Sequence, residues 1–399
     1  MNTICVKIRL YPTPAQETAL GDTLEVCRGI YNSFLHWRTF AYETQGHSPT
    51  ERDQEKVLAL WKENHPELKT VHAHLLQNVA VRVELAFRAF FRRVKAGETP
   101  GYPREKGAGC YDSFTFKQYG NGCRLHQNSL TLSKIGTIKA VVHCTLPGVY
   151  KTCTVRRQHG KWFACFAVEV QQEPLPESTE SIGIDVGVEK FAALSNGEFI
   201  DNPRFFRQDE KALKKAQRKL AAQKRGSLKR RKAKKVVARI HERIANRRHD
   251  FVHQTARKIV NRFGFIAVEK LNVKNMSKSP EPKQDEETGE FLPGVPKSLW
   301  GGHAAKAGLN KSILDAAWSM FRQVITHKAE SAGRKYVEVN PAYTSQDCSG
   351  CGYRANKKLS ERWHFCPNCG LSLDRDTNAA VNILQIGLKN TVGLHSVSG

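Results

Sequence analysis

The sequence predicts a multidomain α+β protein, with a small β-rich barrel split by a helical insert, followed by a mixed α/β domain that carries a compact cysteine module. Three observations predict it. Apolar residues recur at helical spacing between about residues 16 and 100, with short β-like runs on either side. Beyond residue 181 three short strands precede alternating helices and strands. Four of the eleven cysteines fall in one window near the C-terminus.

Ile4 to Tyr11 is β-branched, alternates in its second half and stops at Pro12 and Pro14, so it reads as a strand. Leu20, Leu24, Cys27, Tyr31, Phe34 and Leu35, then Val79, Val83, Phe87, Phe90 and Phe91, repeat at three and four, which predicts a helical insert of roughly eighty residues. Short β-like runs follow (113–116, 138–144 and 162–170) and can join the first strand in a barrel. A polar, proline-broken boundary spans 172–180. Strands are then expected at 181–187, 190–194 and 199–200, with the hairpin signal Asn196-Gly197 between the last two. Basic helices, a strand at 265–269, a Pro/Gly/Glu-rich loop from 279 to about 301, a helix around 311–329, a strand at 336–339 and a last helix from Asn378 complete the order. Three meandering strands followed by alternating helices and strands is the order of an RNase H-like sheet.

The chain has 399 residues, 63 Lys plus Arg against 38 Asp plus Glu, and a formal charge of +25. A hydrophobic content of 40% supports folded cores and excludes general disorder. No run approaches the roughly 18 apolar residues that cross a bilayer, and the N-terminus does not read as a signal peptide. A soluble, cytoplasmic protein with no membrane partner is expected. The excess charge calls for an anionic partner, nucleic acid first. From Lys211 to Arg248 there are 17 basic residues and one acid, Glu242, so this segment supplies +16 of the +25. Helical spacing with interleaved apolar residues suggests helices that pack on one side and offer cations to phosphates on the other.

Cys348-Ser349-Gly350-Cys351 and Cys366-Pro367-Asn368-Cys369 form two Cys-x-x-Cys pairs, with Gly352 and Gly370 directly after them. Two such turns build a closed tetrahedral thiolate site, which predicts one structural Zn2+. Cys5, Cys27, Cys110, Cys123, Cys144, Cys153 and Cys165 are scattered and expected as small buried side chains. His364, between the pairs, is expected at the surface or stacking rather than as a fifth ligand. Trp37, Trp61, Tyr102 and Trp363 are expected in cores ahead of base stacking.

Three acids stand out. Asp185 lies within a strand of apolar neighbours, Glu269 ends the strand Ile266-Ala267-Val268-Glu269, and Asp376 lies where the last helix begins. An RNase H-like nuclease gathers such carboxylates around two divalent cations. Alternatives stay open for each: a basic partner for Asp185, a strand-end surface charge for Glu269, and helix capping for Asp376.

With these residues in hand, the chain resembles the TnpB family, the insertion-sequence-encoded RNA-guided DNA nucleases related to compact type V CRISPR effectors. The resemblance covers nearly the whole chain. It is carried by Arg9-Leu10-Tyr11-Pro12-Thr13, Gly101-Tyr102-Pro103-Arg104, Gly183-Ile184-Asp185-Val186-Gly187, Val268-Glu269-Lys270-Leu271, Asn275-Met276, the segment Thr344 to Gly352, and Asp374-Arg375-Asp376 with Asn378, Ala380 and Asn382. It implies a wedge-type β-barrel (1–15 and 101–172) around a helical recognition insert (16–100). A RuvC nuclease domain (181–340 and 371–390), a zinc ribbon for target nucleic-acid binding (341–370) and a tail (391–399) follow. Asp185, Glu269 and Asp376 are implied as the catalytic acids, holding two Mg2+.

The activity implied is RNA-guided hydrolysis of DNA phosphodiester bonds beside a short recognition motif. An RNA-guided repressor that binds without cutting, and a protein-only transposase or resolvase, are the alternatives. Guide RNA and double-stranded target DNA are the expected partners, in a prokaryotic cytoplasm at the nucleoid, with no protein oligomer required. Gln77 is implied as a motif-reading position, while His72-Ala73-His74 departs from the lysine of a similar family member. Arg104, Lys229, Arg230, Arg231 and Arg247 are expected nucleic-acid contacts. The 279–301 loop is either a lid near the nuclease cleft or an inert connection.

Overall fold

The computed structural model describes residues 2–143, 148–171, 173–279, 303–355 and 361–392. Cys144, nearly all of the 279–301 loop and most of the tail lie outside them. The chain divides into two compact units, residues 1–172 and 173–399.

The first unit begins with strand β1 (Asn2–Tyr11) and then helices α1 (Pro14–Gln45), α2 (Glu51–Asn64) and α3 (Ala73–Lys95), with a 3-10 turn at Pro66–Thr70. Strands β2 (Ser113–Phe116), β3 (Cys123–His126), β4 (Ser129–Leu132), β5 (Gly136–Val141), β6 (Val149–Gln158) and β7 (Lys161–Val170) follow. They form a nearly closed, barrel-like antiparallel sheet in the order β2-β6-β7-β1-β5-β4-β3. Strict alternation along β7 sends Trp162, Ala164, Phe166, Val168 and Val170 inward. α1 starts on a capping box between Thr13 and Gln16 with Pro14 in its first turn, and stops at Gly46 in the left-handed conformation. Its face Leu20, Leu24, Cys27, Tyr31, Phe34 and Leu35 is buried, and α3 buries Leu75, Leu76, Val79, Ala80, Val83 and Phe87 in the same core. Phe91, expected on that face, is exposed because it lies beyond the last buried turn.

The second unit contains β8 (Ser181–Val186), β9 (Lys190–Leu194), β10 (Phe199–Asp201), α4 (Phe205–Ala221), α5 (Leu228–Arg262), β11 (Phe265–Glu269) and α6 (Val273–Met276). It continues with α7 (His303–Ala316), α8 (Trp318–Ser331), β12 (Lys335–Val339), β13 (Trp363–Phe365), β14 (Ser372–Asp374) and α9 (Arg375–Val392). Its main sheet has the order β10-β9-β8-β11-β12, with β10, β9 and β8 antiparallel and β8, β11 and β12 parallel. Period-two alternation divides its side chains between two faces. Ile182, Ile184, Ile266 and Val268 pack with Val252, Ala256, Ile259, Phe321 and Ile325 of α5 and α8. On the other face, Phe265, Ala267 and Val339 pack with Ile383 of α9. A Cβ on Gly183 would lie 2.1 Å from the Ala380 carbonyl oxygen, so α9 rests directly on the β8 backbone.

The single helix expected around 311–329 is broken. Ala317 adopts a left-handed φ of 59°, separating α7 from α8. The scattered cysteines also divide differently from expectation. Cys27, Cys123 and Cys153 are buried, whereas Cys5 and Cys110 are exposed and Cys165 is half-buried. Cys5 shares the outward face of β1 with Thr3 and Lys7, so strand alternation overrides its apolar character. No helix among the described residues is long and apolar enough to cross a membrane.

Candidate active site

Asp185 and Glu269 occupy the C-terminal ends of two adjacent parallel strands. The register pairs Ile184 with Val268, which sets the next residues of the two strands side by side. Alternation turns both toward α9, on the face of Gly183 and Ala267. Glu269 is 7% exposed. Its Oε1 accepts a hydrogen bond from Val186 N at 3.2 Å, and its carboxyl hydrogen-bonds that of Asp185.

Burial, then the neighbouring Glu269 charge, holds the Asp185 carboxyl well above the usual carboxylate range, with Asp376 adding to the rise and Arg375 opposing it. Burial also raises Glu269, while the hydrogen bonds from Asp185 and Val186 N oppose that rise. Two carboxyls so placed share a proton or accept a cation. Their hard oxygen donors suit Mg2+ and comparable divalent ions.

Asp376 lies in the first turn of α9, near enough for its charge to raise Asp185, but its carboxylate does not join those of Asp185 and Glu269 within the 4.8 Å that gathers the module cysteines. The helix end is capped by Asp374, whose Oδ1 accepts from Asp376 N at 2.9 Å and Thr377 N at 3.1 Å. The Asp376 side chain is therefore not spent on capping. It faces Arg375 Nε at 3.5 Å and Arg362 Nη1 at 3.9 Å. The second guanidinium also reaches Glu189 at 2.7 Å. Arg362 carries no signal in the sequence, and Asp374 and Arg375 stood there only as part of the motif around Asp376, with no role of their own.

The four module cysteines converge. Their sulfur atoms all lie within 4.8 Å of one another, the only such group of three or more His, Cys, Asp or Glu residues among the described residues. Cys348 Sγ lies 3.6 Å from Cys369 Sγ, and Cys351 Sγ lies 3.6 Å from Cys366 Sγ. Tetrahedral Zn–S bonds of about 2.3 Å would set neighbouring sulfurs about 3.8 Å apart, so the donors and their spacing fit Zn2+. Gly352 and Gly370 take φ of 76° and 73°, closing the two turns that aim the thiols inward. A hydrogen bond from Asn368 Nδ2, then one from the Tyr353 backbone, lowers the Cys351 thiol to about 6, while hydrogen bonds to Cys351, Cys348 and Cys366 push the Cys369 thiol up to about 12.

His364 is fully buried, contrary to the expected surface position, because it is the inward residue of the three-residue strand β13. Trp363, beside it, is 61% exposed and donates Nε1–H to Ser372. Tyr102, likewise expected in a core, is 47% exposed against the rings of Phe87 and Phe90.

The expected nucleic-acid contacts separate into two groups. Arg104, Lys229 and Arg231 are exposed and Gln77 is half-buried. Arg230 instead closes the α4–α5 turn, donating to the Leu220 and Gln223 carbonyls at 3.0 and 2.9 Å. Arg247 stacks 4.5 Å from the Phe205 ring and donates to Gln208 Oε1.

Family comparisons agree with the motifs. Residues 165–280 match OrfB_IS605, described as "Probable transposase", and residues 318–383 match "Cas12f1-like, TNB domain". Residues 1–47 match a family described as a helix-turn-helix domain, where the structure has strand β1 followed by the single helix α1. Among curated relatives, "Putative RNA-guided DNA endonuclease InsQ" of Escherichia coli K12 is 31% identical over 388 residues, covering 96% of this chain and 91% of that protein. A Streptomyces pristinaespiralis protein, "Putative RNA-guided DNA endonuclease", is 31% identical over 390 residues, with 96% and 89% covered.

Two solved structures share the mixed α/β architecture. One is a Cas12f1–sgRNA–target DNA complex, with TM-score 0.58, 14% identity and 96% and 98% of the two chains covered. The other is a structure of the mini-RNA-guided endonuclease CRISPR-Cas_phi3, with TM-score 0.51, 9% identity and 97% and 92% covered. The class is thus a compact, multidomain α/β protein with a four-cysteine module. The chain belongs to the TnpB family.

Proposed function

We propose that this protein is an RNA-guided DNA endonuclease that cuts a guide-complementary target through one site built on Asp185, Glu269 and Asp376. The observation that carries the reading is half-buried Asp185 beside buried Glu269, on the sheet face packed by the helix that bears Asp376. Two like-charged carboxyls set together away from water cost folding free energy unless a ligand repays it. A protein that only bound nucleic acid would gain nothing from them, which favours cleavage over repression.

The β10-β9-β8-β11-β12 order, antiparallel in its first half and parallel in its second, supports an RNase H-like RuvC assignment for 181–340 and 371–390. The preceding barrel-like sheet and its helices take the wedge (1–15 and 101–172) and recognition (16–100) roles, with the ribbon at 341–370. Its four cysteines hold one structural Zn2+.

Asp185, Glu269 and Asp376 would hold two Mg2+, which supply Lewis-acid activation of water and charge neutralisation at the scissile phosphate when bound. Asp185 would contribute its carboxylate from β8, beside that of Glu269 on β11. The Val186 N–H orients the Glu269 carboxylate, and Asp374 fixes the helix end from which Asp376 projects. Guide RNA and double-stranded DNA are the partners, as the names of the relatives indicate for those proteins. Exposed Lys229 and Arg231 are phosphate contacts, Gln77 and Arg104 lie in regions suited to target reading, and the site of action is the prokaryotic cytoplasm.

Two measurements test this. Sequencing RNA that copurifies with the native protein should recover one discrete guide-bearing species; its absence would refute guided action and restore the protein-only transposase reading. With that RNA bound, Asp185→Ala should abolish cleavage and leave target binding intact. Cleavage surviving the substitution removes Asp185 from the site.

A further inference from the structure

We infer that Asn378 and Asn382 are positioning residues: they clamp α9 to the first cysteine turn of the ribbon and thereby hold Asp376 in register with Asp185 and Glu269. The inference rests on the reading of Asp376 as a catalytic carboxylate.

Asn378 is fully buried and both ends of its amide are used. Nδ2 donates to the Asp347 carbonyl at 2.8 Å, and Oδ1 accepts from Ser349 N at 2.9 Å. Asn382, 7% exposed, donates from Nδ2 to the Thr344 carbonyl at 2.9 Å and to the Asp347 carbonyl at 2.7 Å. Gln385 Nε2 adds a bond to the Ser349 carbonyl at 3.0 Å. These three residues are spaced i, i+4, i+7, one face of a helix. Their targets bracket Cys348, so they grip the backbone that aims this thiol. The other face of α9 brings Ala380 against Gly183 and Gly387 against Ala267.

The helix is thus held between the sheet that carries two acids and the turn that carries a zinc ligand, and Asp376 lies two residues before Asn378. Asn378 lies only two residues past the catalytic acid, and its fully paired amide fixes the distance between α9 and the Cys348 turn. Sequence shows two asparagines four apart, but not what they face. Nothing in that spacing distinguishes a clamp from an exposed polar stripe.

The test uses the full-length protein with its copurifying RNA, as wild type, Asn378→Ala, Asn382→Ala, the double variant and Asp376→Ala. Zinc per chain, target binding and cleavage rate against Mg2+ concentration are measured for each. The double variant is expected to keep one zinc and wild-type target binding. It should cut on the order of 10²-fold more slowly, the loss associated with a catalytic group misplaced by about 1 Å. Its half-saturating Mg2+ concentration should rise, a shift that general loss of folded protein would not produce.

A wild-type Mg2+ dependence and rate in the double variant overturns the clamp. If the double variant loses zinc, Asn382→Ala, which leaves both Asn378 bonds intact, carries the same measurement, and an unchanged Mg2+ dependence there overturns it equally. Cleavage by Asp376→Ala would instead overturn the assignment of the site, a result separate from failure of the clamp alone.

Discussion

Gly183→Ala tests whether the seat of α9 on β8 sets the geometry of the acidic site. A Cβ at this position would meet the Ala380 carbonyl oxygen at 2.1 Å and Leu384 N at 2.7 Å. Both are backbone atoms, so no side-chain rotation relieves the clash. Restoring an ordinary contact of 3.4 Å requires about 1.3 Å of separation between strand and helix, because interiors this dense have no slack. Overpacking of this kind costs about 1–3 kcal/mol, and about 2–4 °C of melting temperature per kcal/mol for a domain of this size. The same shift moves Asp376 relative to Asp185, and a catalytic group displaced by about 1 Å loses on the order of 10²-fold in rate.

Single-turnover cleavage by the guide-loaded variant at saturating Mg2+ is the assay, with thermal unfolding alongside. Gly387→Ala is the comparison. Its Cβ would press on Ala267 Cβ at 2.7 Å, but it lies three helical turns from Asp376. It should lower stability while sparing most of the rate. Wild-type melting and cleavage in Gly183→Ala would refute the reasoning, because α9 would then have room to accept a methyl group without moving its acid.

Asp185→Asn should end cleavage and also change the pH dependence of stability in divalent-free buffer. Burial and the Glu269 charge raise the Asp185 carboxyl, so its contribution is fully present below the ordinary carboxylate value of about 4 and is lost as pH rises through the raised value. The amide cannot ionise, so the variant should melt above wild type near pH 7 and the two should converge in acid; parallel melting curves from pH 4 to 8 would count against the close carboxyl pair. Asp315→Ala should destabilise the second unit by about 3 kcal/mol, because the carboxylate accepts from Phe206 N, Arg207 N and Arg248, and its loss strands a largely buried guanidinium. Denaturant unfolding checks this, and a change under about 1 kcal/mol would assign those bonds little net worth. Arg231→Ala should weaken RNA binding and reduce its salt slope by about one, whereas Arg230→Ala should lower melting temperature and leave the slope unchanged; matching salt slopes would erase the distinction between outward and inward cations.

Much of the site was legible because its chemistry conflicts with its surroundings. An aspartate among Ile182, Ile184 and Val186, and a glutamate closing an apolar strand, are costly placements that local preference does not explain, and the fold sets their side chains in contact. The cysteine spacing was legible for a similar reason: two short turns can aim four thiols at one point wherever they lie in the chain. What escaped depends on distant partners. Asp374 and Asp376 are equivalent as capping candidates in sequence, and only the entry of β14 into α9 gives the cap to Asp374. His364 reads as polar surface until β13 pairs with β14 and turns it inward. The break at Ala317 has no sequence signal, since alanine is the strongest helix former and does not favour positive φ. Strands β3 and β4 are as short as β2 but carry no aromatic pair like Phe114 and Phe116 to mark them.

The basic run between Lys211 and Arg248 shows how a segment carrying +16 can fold at all. Like charges at this density repel and oppose compact packing, so the cations beside the packed faces need partners. Acids outside the run supply them. Asp209 meets Arg243 and Arg247, and Asp315 meets Arg248 while also holding the N-terminus of α4. Leu213, Ala233 and Ile244 bury the remaining inward face. Lys229, Arg231, Lys232, Lys234 and Lys235 stay exposed, and their mutual repulsion is relieved when phosphates arrive. A ligand that binds only the folded arrangement stabilises it in proportion to its affinity. On the proposed reading, guide RNA bound along α4 and α5 would stabilise their fold as well as supply sequence specificity. The RNA-free protein should be least stable at low ionic strength, where the exposed cations are least screened.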